Sequence, residues 1–317
     1  MQLIRGVHNL KSFSELKNGC ALTIGNFDGV HLGHQQILAR LLEKARELSL
    51  PSVVMLFEPQ PREFFAKKDE PAAPARLMRL RDKLFALQNA GVDYVLCVRF
   101  NQTFSALSAQ EFILQLLVEK LNVKYVSVGD DFHFGAKRSG NFQILQDAGR
   151  NLGFVVENSH SYKLGIERIS SSRIRAALLE DDLALVEKLL GSKYHIRGRV
   201  AHGNKLGRTI SFPTANIMLN RLVTPIQGVY AVQVETPQGR FNGIANVGNR
   251  PTINGTKPLL EVHIFDFQGD LYGKAISVSF LHKIRNETKF ENFEALKAQI
   301  EKDVAEVRAY FNESGAY

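Results

Sequence analysis

Two histidines, His31 and His34, close the segment GNFDGVHLGH at 25–34, between a strand-like apolar run (CALTIG, 20–25) and a long helical pattern. Three residues apart on a first helical turn, both imidazoles can face the same anion. Gly25 and Gly29 let the backbone turn tightly and approach a ligand closely. The helix start adds free N–H groups and the positive end of a dipole, which together favour phosphate. Transfer of a nucleotidyl group at phosphorus mainly needs positioning and charge stabilisation, and two imidazole donors at a helix end supply that. Two other readings stay open. A zinc pair on a helix usually has i,i+4 spacing with a nearby Glu, and neither is present here. A pair of packing histidines needs no ligand at all.

Two further segments carry chemistry-bearing side chains. In ISSSRIR (169–175), Ser170, Ser171 and Ser172 can cap a following helix, and Arg175 on its first turns can pair with phosphate oxygens. A capped helix start reads the same way. In GRVAHGNKLGRTISFPTAN (198–216), Gly203 and Gly207 alternate with Lys205 and Arg208, a basic glycine loop able to close over a polyphosphate. No G-K-[ST] occurs, so it is not a Walker A loop. Thr214 and Asn216 fall on the same side of an extended chain and offer oxygens suited to Mg²⁺. A turn with a rigid proline is the plain alternative.

The elements that must position these residues change character near Leu190. Before it, continuous apolar runs at 20–25, 52–57, 93–100, 124–129 and 153–157 alternate with helical patterns. In 32–48, Ile37, Leu38, Leu41, Leu42, Ala45 and Leu48 recur at three- and four-residue steps, one apolar face. Residues 78–90 and 109–121 read similarly. This predicts a doubly wound α/β domain whose parallel sheet is covered on both faces. After Leu190, short Gly-punctuated β-branched runs predict an antiparallel barrel, with TPQGR (236–240) as a hairpin turn. A final helix after Asn292, a suitable N-cap, carries the stripe Phe293, Leu296, Ile300, Val304, Val307 and Phe311. The expected division is 1–187 and 188–317, without a long linker.

GNFDGVHLGH resembles the HxGH signature of the nucleotidyltransferase superfamily, in the form used by bacterial riboflavin kinase/FMN adenylyltransferases. ISSSRIR is similar to a second signature of that family, ISSTxIR, with Ser172 keeping the hydroxyl of the usual Thr. GRTISFPTAN resembles the family's kinase signature GRxxGFPTAN, with Ser211 in place of a Gly. The segments EVHIFDFQGDLYG (261–273), NVGNRPT (246–252) and RNETKF (285–290) match as well, so the likeness spans essentially the whole chain. It implies a Rossmann-like adenylyltransferase domain followed by a β-barrel kinase domain. Their joint work is phosphorylation of riboflavin to FMN with ATP and Mg²⁺, then transfer of AMP from a second ATP to FMN, giving FAD and pyrophosphate.

The resemblance also assigns residues. His31, His34 and Arg175 would be catalytic in the first domain. Gly25, Asn26, Phe27, Asp28, Gly33 and the three serines would hold its ATP. Phe57, Pro59 and Pro61 of FEPQPREFF, with Asp131 and Phe132 of GDDFHFG, would line its flavin side, where aromatic rings beside rigid loops can stack an isoalloxazine. A loop tucked under a small satellite core is the competing reading for any one Phe. In the barrel, Gly203, Gly207 and Arg208 would bind ATP, Thr214 and Asn216 the metal, and Arg285 the flavin. Glu261 would be the base that takes the riboflavin 5′-hydroxyl proton.

Composition fits a two-domain globular protein: 317 residues, 44% hydrophobic and 23% charged. No apolar run reaches the ~18 residues of a membrane span, and no signal-like segment opens the chain. Two cysteines, Cys20 and Cys97, exclude a disulfide framework and fit a cytoplasmic address. The net charge of +8 is spread over both halves without a basic cluster. Such a diffuse excess is weak evidence for a nucleic-acid partner, and affinity for phosphorylated small molecules explains its sign equally well. The rival readings are a chain whose kinase alone is active, which the intact His31, His34 and Arg175 oppose, and a basic nucleic-acid binder using the barrel as its module.

Overall fold

The computed structural model describes residues 1–66, 73–129, 131–159, 162–201, 212–219, 223–252 and 255–314. The chain divides into two compact units, residues 1–74 with 78–171, and residues 75–77 with 172–317.

The first unit is built on six parallel strands: β1 (Gln2–Arg5), β2 (Cys20–Ile24), β3 (Ser52–Glu58), β4 (Tyr94–Arg99), β5 (Val123–Gly129) and β6 (Val155–Ser159). Their order is β1-β4-β3-β2-β5-β6. Alternate residues of the central strands feed separate cores. Cys20, Leu22 and Ile24 of β2 join Val53, Met55, Leu96 and Val126 on one face, over Ile113, Leu116, Leu117 and Leu145. Ala21, Val54, Leu56 and Val95 meet Leu38, Leu41, Ala45 and Leu87 on the other. Helices on both faces are why these strands read as unbroken apolar runs. The predicted 109–121 helix forms as a short turn, Ala109–Glu111, continued by π winding through Phe112–Lys120. A two-strand hairpin, β7 (Lys163–Leu164) with β8 (Glu167–Arg168), completes the unit.

The second unit holds the helices Ser171–Leu179, from Ser172 onward, and Leu183–Leu190, then a closed antiparallel barrel. Its strands are β9 (His195–Ala201), β10 (Ala215–Met218), β11 (Gly228–Thr236), β12 (Gly239–Thr252), β13 (Gly255–Ile264) and β14 (Ala275–Arg285), ordered β10-β13-β12-β11-β14-β9. The turn between β11 and β12 falls at Pro237 and Gln238, where the hairpin was predicted. Tyr230, Val232, Val234, Ala245, Val247, Leu260, Val262 and Ile217, almost fully buried, are the inward set. The other parity faces outward, and part of it is covered by the helix Phe293–Ser314. Val307 and Phe311 of that helix pack on Val229, Ala231, Ile244 and Phe265. Asn292 caps the helix as expected, accepting from Ala295 N at 2.8 Å. Burial of the predicted stripe is confined to its C-terminal half, and Phe293 is exposed.

Candidate functional site

Strand β2 lies between β3 and β5, so the chain proceeds outward to one side and later to the other. The carboxyl end of a strand at such a switch is where open α/β sheets bind ligands. The GNFDG turn sits there. Gly25 closes β2 through its N–H to Met55 O at 3.1 Å. Phe27 (φ 46°) and Val30 (φ 40°) lie in the left-handed region, with Gly29 (φ 90°) between them. Non-glycine residues at positive φ store strain, of a kind concentrated at functional turns. The Phe27 ring is buried in the core, so its contribution to a ligand site is the backbone turn. Asn26 carries a buried Oδ1 with no hydrogen-bond partner among the described residues.

His31 is the N-cap of the helix Leu32–Glu47, its Nδ1 accepting from His34 N at 3.3 Å. An accepting Nδ1 leaves the proton of a neutral His31 on Nε2. The two imidazoles stack, with centroids 3.6 Å apart and planes 15° from parallel. Phe27 lies against the ring of His34 at 4.8 Å. Burial, then the charges of His31, Lys83 and Arg168, hold His34 well below the ordinary histidine range. At neutral pH it is therefore an uncharged N–H donor.

The HxGH turn and the serine segment, far apart in sequence, meet here. Ser171 Oγ donates to Asp28 O at 2.8 Å. The buried Asp28 carboxylate accepts from Met78 N at 3.0 Å. A Cβ at Gly33 would stand 3.2 Å from His31 Nδ1 and 3.5 Å from Ile169 O, so glycine lets the serine segment close on the helix start. Of the three serines, Ser171 is the first helical residue and its hydroxyl ties two loops together, while Ser170 stands at the position before the helix. In the second unit, Arg175 Nε donates to Ala75 O at 2.6 Å. Ser170 and Ser172 flank Ser171 at the helix start.

Asp131, just past β5, pairs with Arg168 at 3.1 Å. Arg168 went unnoticed in the sequence although it stands two residues before the serines. Lys83 was also missed. It is almost fully buried in the helix Leu80–Asn89, on the same face as Leu87. A lysine at a core-facing i, i+4 position was the available signal.

The two aromatic loops form one continuous cluster. Phe57 packs near Phe100 and Phe104, at 5.8 and 5.7 Å. From there Phe104, Phe112, Phe134 and Phe132 follow in contact. Phe57 and Phe132 rest on the core of the first unit. Pro59 and Pro61 bracket Gln60, which caps the short helix Pro61–Phe65.

On the barrel's outward face, neighbouring strands bring polar residues into one row. Glu261 of β13 is opposite Asn216 of β10 on one side and Asn246 of β12 on the other. Directly opposed residues of an antiparallel pair project to the same face at about 5 Å. Asn216 is buried, and its Nδ2 donates to Thr214 O at 3.3 Å. Gly203, Gly207 and Arg208 lie outside the described residues.

Arg285, which the resemblance assigned to the flavin, is held in a clamp at the end of β14. Its guanidinium grips Asp303 through Nε and Nη2 (2.8–3.0 Å), and Nη1 donates to Asn286 O. The Asp303 side chain is 3% exposed, and Gln299 donates to it as well. This clamp anchors the last helix to β14. Arg285→Ala would strand a buried carboxylate, at a cost of about 3 kcal/mol. A thermal melt is expected to fall by about 10 °C. A variant of unchanged melting temperature that loses kinase activity would assign Arg285 to the flavin rather than to the clamp.

No helix among the described residues is long and apolar enough to cross a membrane. Residues 13–173 match the family model of FAD synthetase, and residues 190–311 that of riboflavin kinase. The bifunctional riboflavin kinase/FMN adenylyltransferase of Haemophilus influenzae is 59% identical over 98% of this chain and 100% of its own. The protein of the same name from Escherichia coli K12 is 53% identical over 98% of each. A crystal structure described as a macrolide-efflux protein from Streptococcus pneumoniae shares the fold, with a TM-score of 0.79 and 32% identity over 97% of this chain and 99% of that one. With both modules matched in order and its relatives covered end to end, the chain belongs to the family of bifunctional riboflavin kinase/FMN adenylyltransferases.

Proposed function

We propose that the chain makes FAD in two steps at two sites, the barrel phosphorylating riboflavin to FMN and the first domain joining AMP to FMN. The observation that carries this reading is that each unit assembles its own polar constellation. One is His31, His34 and the serine segment at the sheet's switch point. The other is the Asn216–Glu261 row on the barrel. We assign the adenylyl step to residues 1–187 and the kinase step to 188–317.

In the kinase step Glu261 takes the proton of the 5′-hydroxyl as that oxygen attacks the γ-phosphorus of ATP, and ADP leaves. In the adenylyl step an FMN phosphate oxygen attacks the α-phosphorus, the α–β bond breaks, and pyrophosphate departs. Charge gathers on the phosphoryl oxygens at that moment. His34, neutral and preorganised by stacking, donates there together with the free N–H groups of the helix start. His31, its Nδ1 occupied, offers Nε2–H. Arg175, from the serine signature, is assigned to the phosphates.

Thr214 and Asn216 are the residues we assign to Mg²⁺. Two neutral oxygen ligands beside a carboxylate suit a hard cation, and the buried amide of Asn216 fits a fixed ligand rather than a solvated side chain. Bound there, Mg²⁺ would neutralise phosphate charge. Asn216→Ala is expected to slow only the kinase, with partial recovery at raised Mg²⁺. Equal loss at all metal concentrations would remove Asn216 from the ligand set. A cytoplasmic location is supported by two free cysteines, Cys20 and Cys97, the former with burial pushing its thiol up to about 12.

The reading is tested by supplying FMN, ATP and Mg²⁺ and measuring FAD and pyrophosphate together. One pyrophosphate per FAD is expected; FAD without pyrophosphate, or no FAD, would refute the adenylyl step.

A further inference from the structure

The polar row on the barrel has a third member for which the proposed chemistry has no role. Asn246 sits directly opposite Glu261 on β12, and its Oδ1 is buried without a hydrogen-bond partner among the described residues. A buried acceptor left unsatisfied is a sizeable penalty, tolerated where a ligand completes it. On the far side of Asn246, β11 places the apolar Val229. Along its strand, a Cβ at Gly248 would be 3.3 Å from Asn246 Nδ2 and would collide with the Glu287 carboxylate, so this end of the side chain is hemmed in. Gln227 holds Glu287 in turn, at 2.9 Å.

The order across the strands is then Asn216, Glu261, Asn246: metal-side amide, base, unsatisfied amide, with Val229 beyond them buried under the last helix. In an in-line transfer the nucleophile's own chain and the leaving phosphates lie on opposite sides of the phosphorus. If Asn216 marks the phosphate side of Glu261, Asn246 marks the side from which the attacking alcohol comes. In riboflavin the atoms behind the 5′-hydroxyl are a chain of secondary alcohols, followed by an apolar ring system. We propose that Asn246 is a substrate-positioning residue of the kinase site, its Oδ1 accepting a hydrogen bond from a secondary hydroxyl of the ribityl chain and so aiming the 5′-oxygen at Glu261. The proposal rests on the kinase reading given above. It makes the enzyme a reader of the polyol, not only of the flavin ring.

The test compares riboflavin with a flavin whose side chain is a plain 5-hydroxypentyl group, keeping the terminal alcohol and lacking the 2′, 3′ and 4′ hydroxyls. Wild type is expected to favour riboflavin in kcat/KM, because a site built to bind a hydroxyl discriminates against its absence. Asn246→Leu keeps the shape and removes the acceptor. Its preference for riboflavin is expected to shrink by about 10-fold, through loss on riboflavin alone. Asn246→Ala should behave alike. Neither variant should melt below wild type, because the free enzyme spends an unsatisfied acceptor at this position. Equal use of both flavins by wild type would overturn the proposal, as would full preference retained by the variants. A changed Mg²⁺ requirement with unchanged flavin preference would assign the acceptor to a metal-bound water and overturn it too. A lowered melting temperature with equal losses on both flavins would make Asn246 structural. Failure of wild type to phosphorylate riboflavin at all would instead refute the kinase reading itself.

Discussion

His34→Ala is expected to convert riboflavin to FMN at the wild-type rate and to stop there. Removing one preorganised donor at a developing oxyanion lowers turnover on the order of 10²–10³-fold. The ring lost is the one held between His31 and Phe27 and kept uncharged by burial. Its depressed pKa has a direction that can be checked. The neutral ring contributes stability above the ordinary histidine pKa of about 6.5, and that contribution is lost as the pH falls toward the lowered value. The alanine variant should therefore lose less stability than wild type on acidification below pH 6.5, measured by melts across that range. Chromatography should show FMN accumulating in place of FAD. Normal FAD output would remove His34 from the reaction.

Glu261→Gln is the converse. Size and hydrogen bonding are kept while basicity goes, and a general base is worth roughly 10²–10⁴-fold. Riboflavin phosphorylation should fall by about that factor. Supplied with FMN, the same variant should make FAD at nearly the wild-type rate, because the adenylyl site is assigned no residue of the barrel's polar row. A melt excludes simple unfolding. A folded variant that phosphorylates riboflavin at full rate would place the base elsewhere. Loss of FAD formation from FMN as well would mean that the two sites are not independent.

Much of this architecture was legible because it rests on local patterns. Four strands of the parallel sheet, β2 to β5, announced themselves as apolar runs, since both of their faces are buried, and β6 at the edge showed as a shorter one. β1, only four residues at the sheet edge with one buried side chain, has too little pattern to register. The TPQGR turn and the Asn292 cap follow from short-range chemistry and were readable for that reason. Long-range partners were not. Nothing local pairs Ser171 with Asp28 or Arg285 with Asp303, so neither contact could be read from the sequence. Lys83 and Arg168 were passed over because charge on a helix face or hairpin ordinarily means solvent. The row Asn216–Glu261–Asn246 depends on the register of three strands, which only the folded barrel fixes.

One chain carrying both steps in series is tested most directly by a single time course. Riboflavin, ATP and Mg²⁺ are incubated with the purified enzyme and the flavins are separated by chromatography. FMN should appear first and FAD after it, with riboflavin consumed. A reaction that halts at FMN while supplied FMN also stays unconverted would contradict the account, leaving a kinase with an inactive first domain.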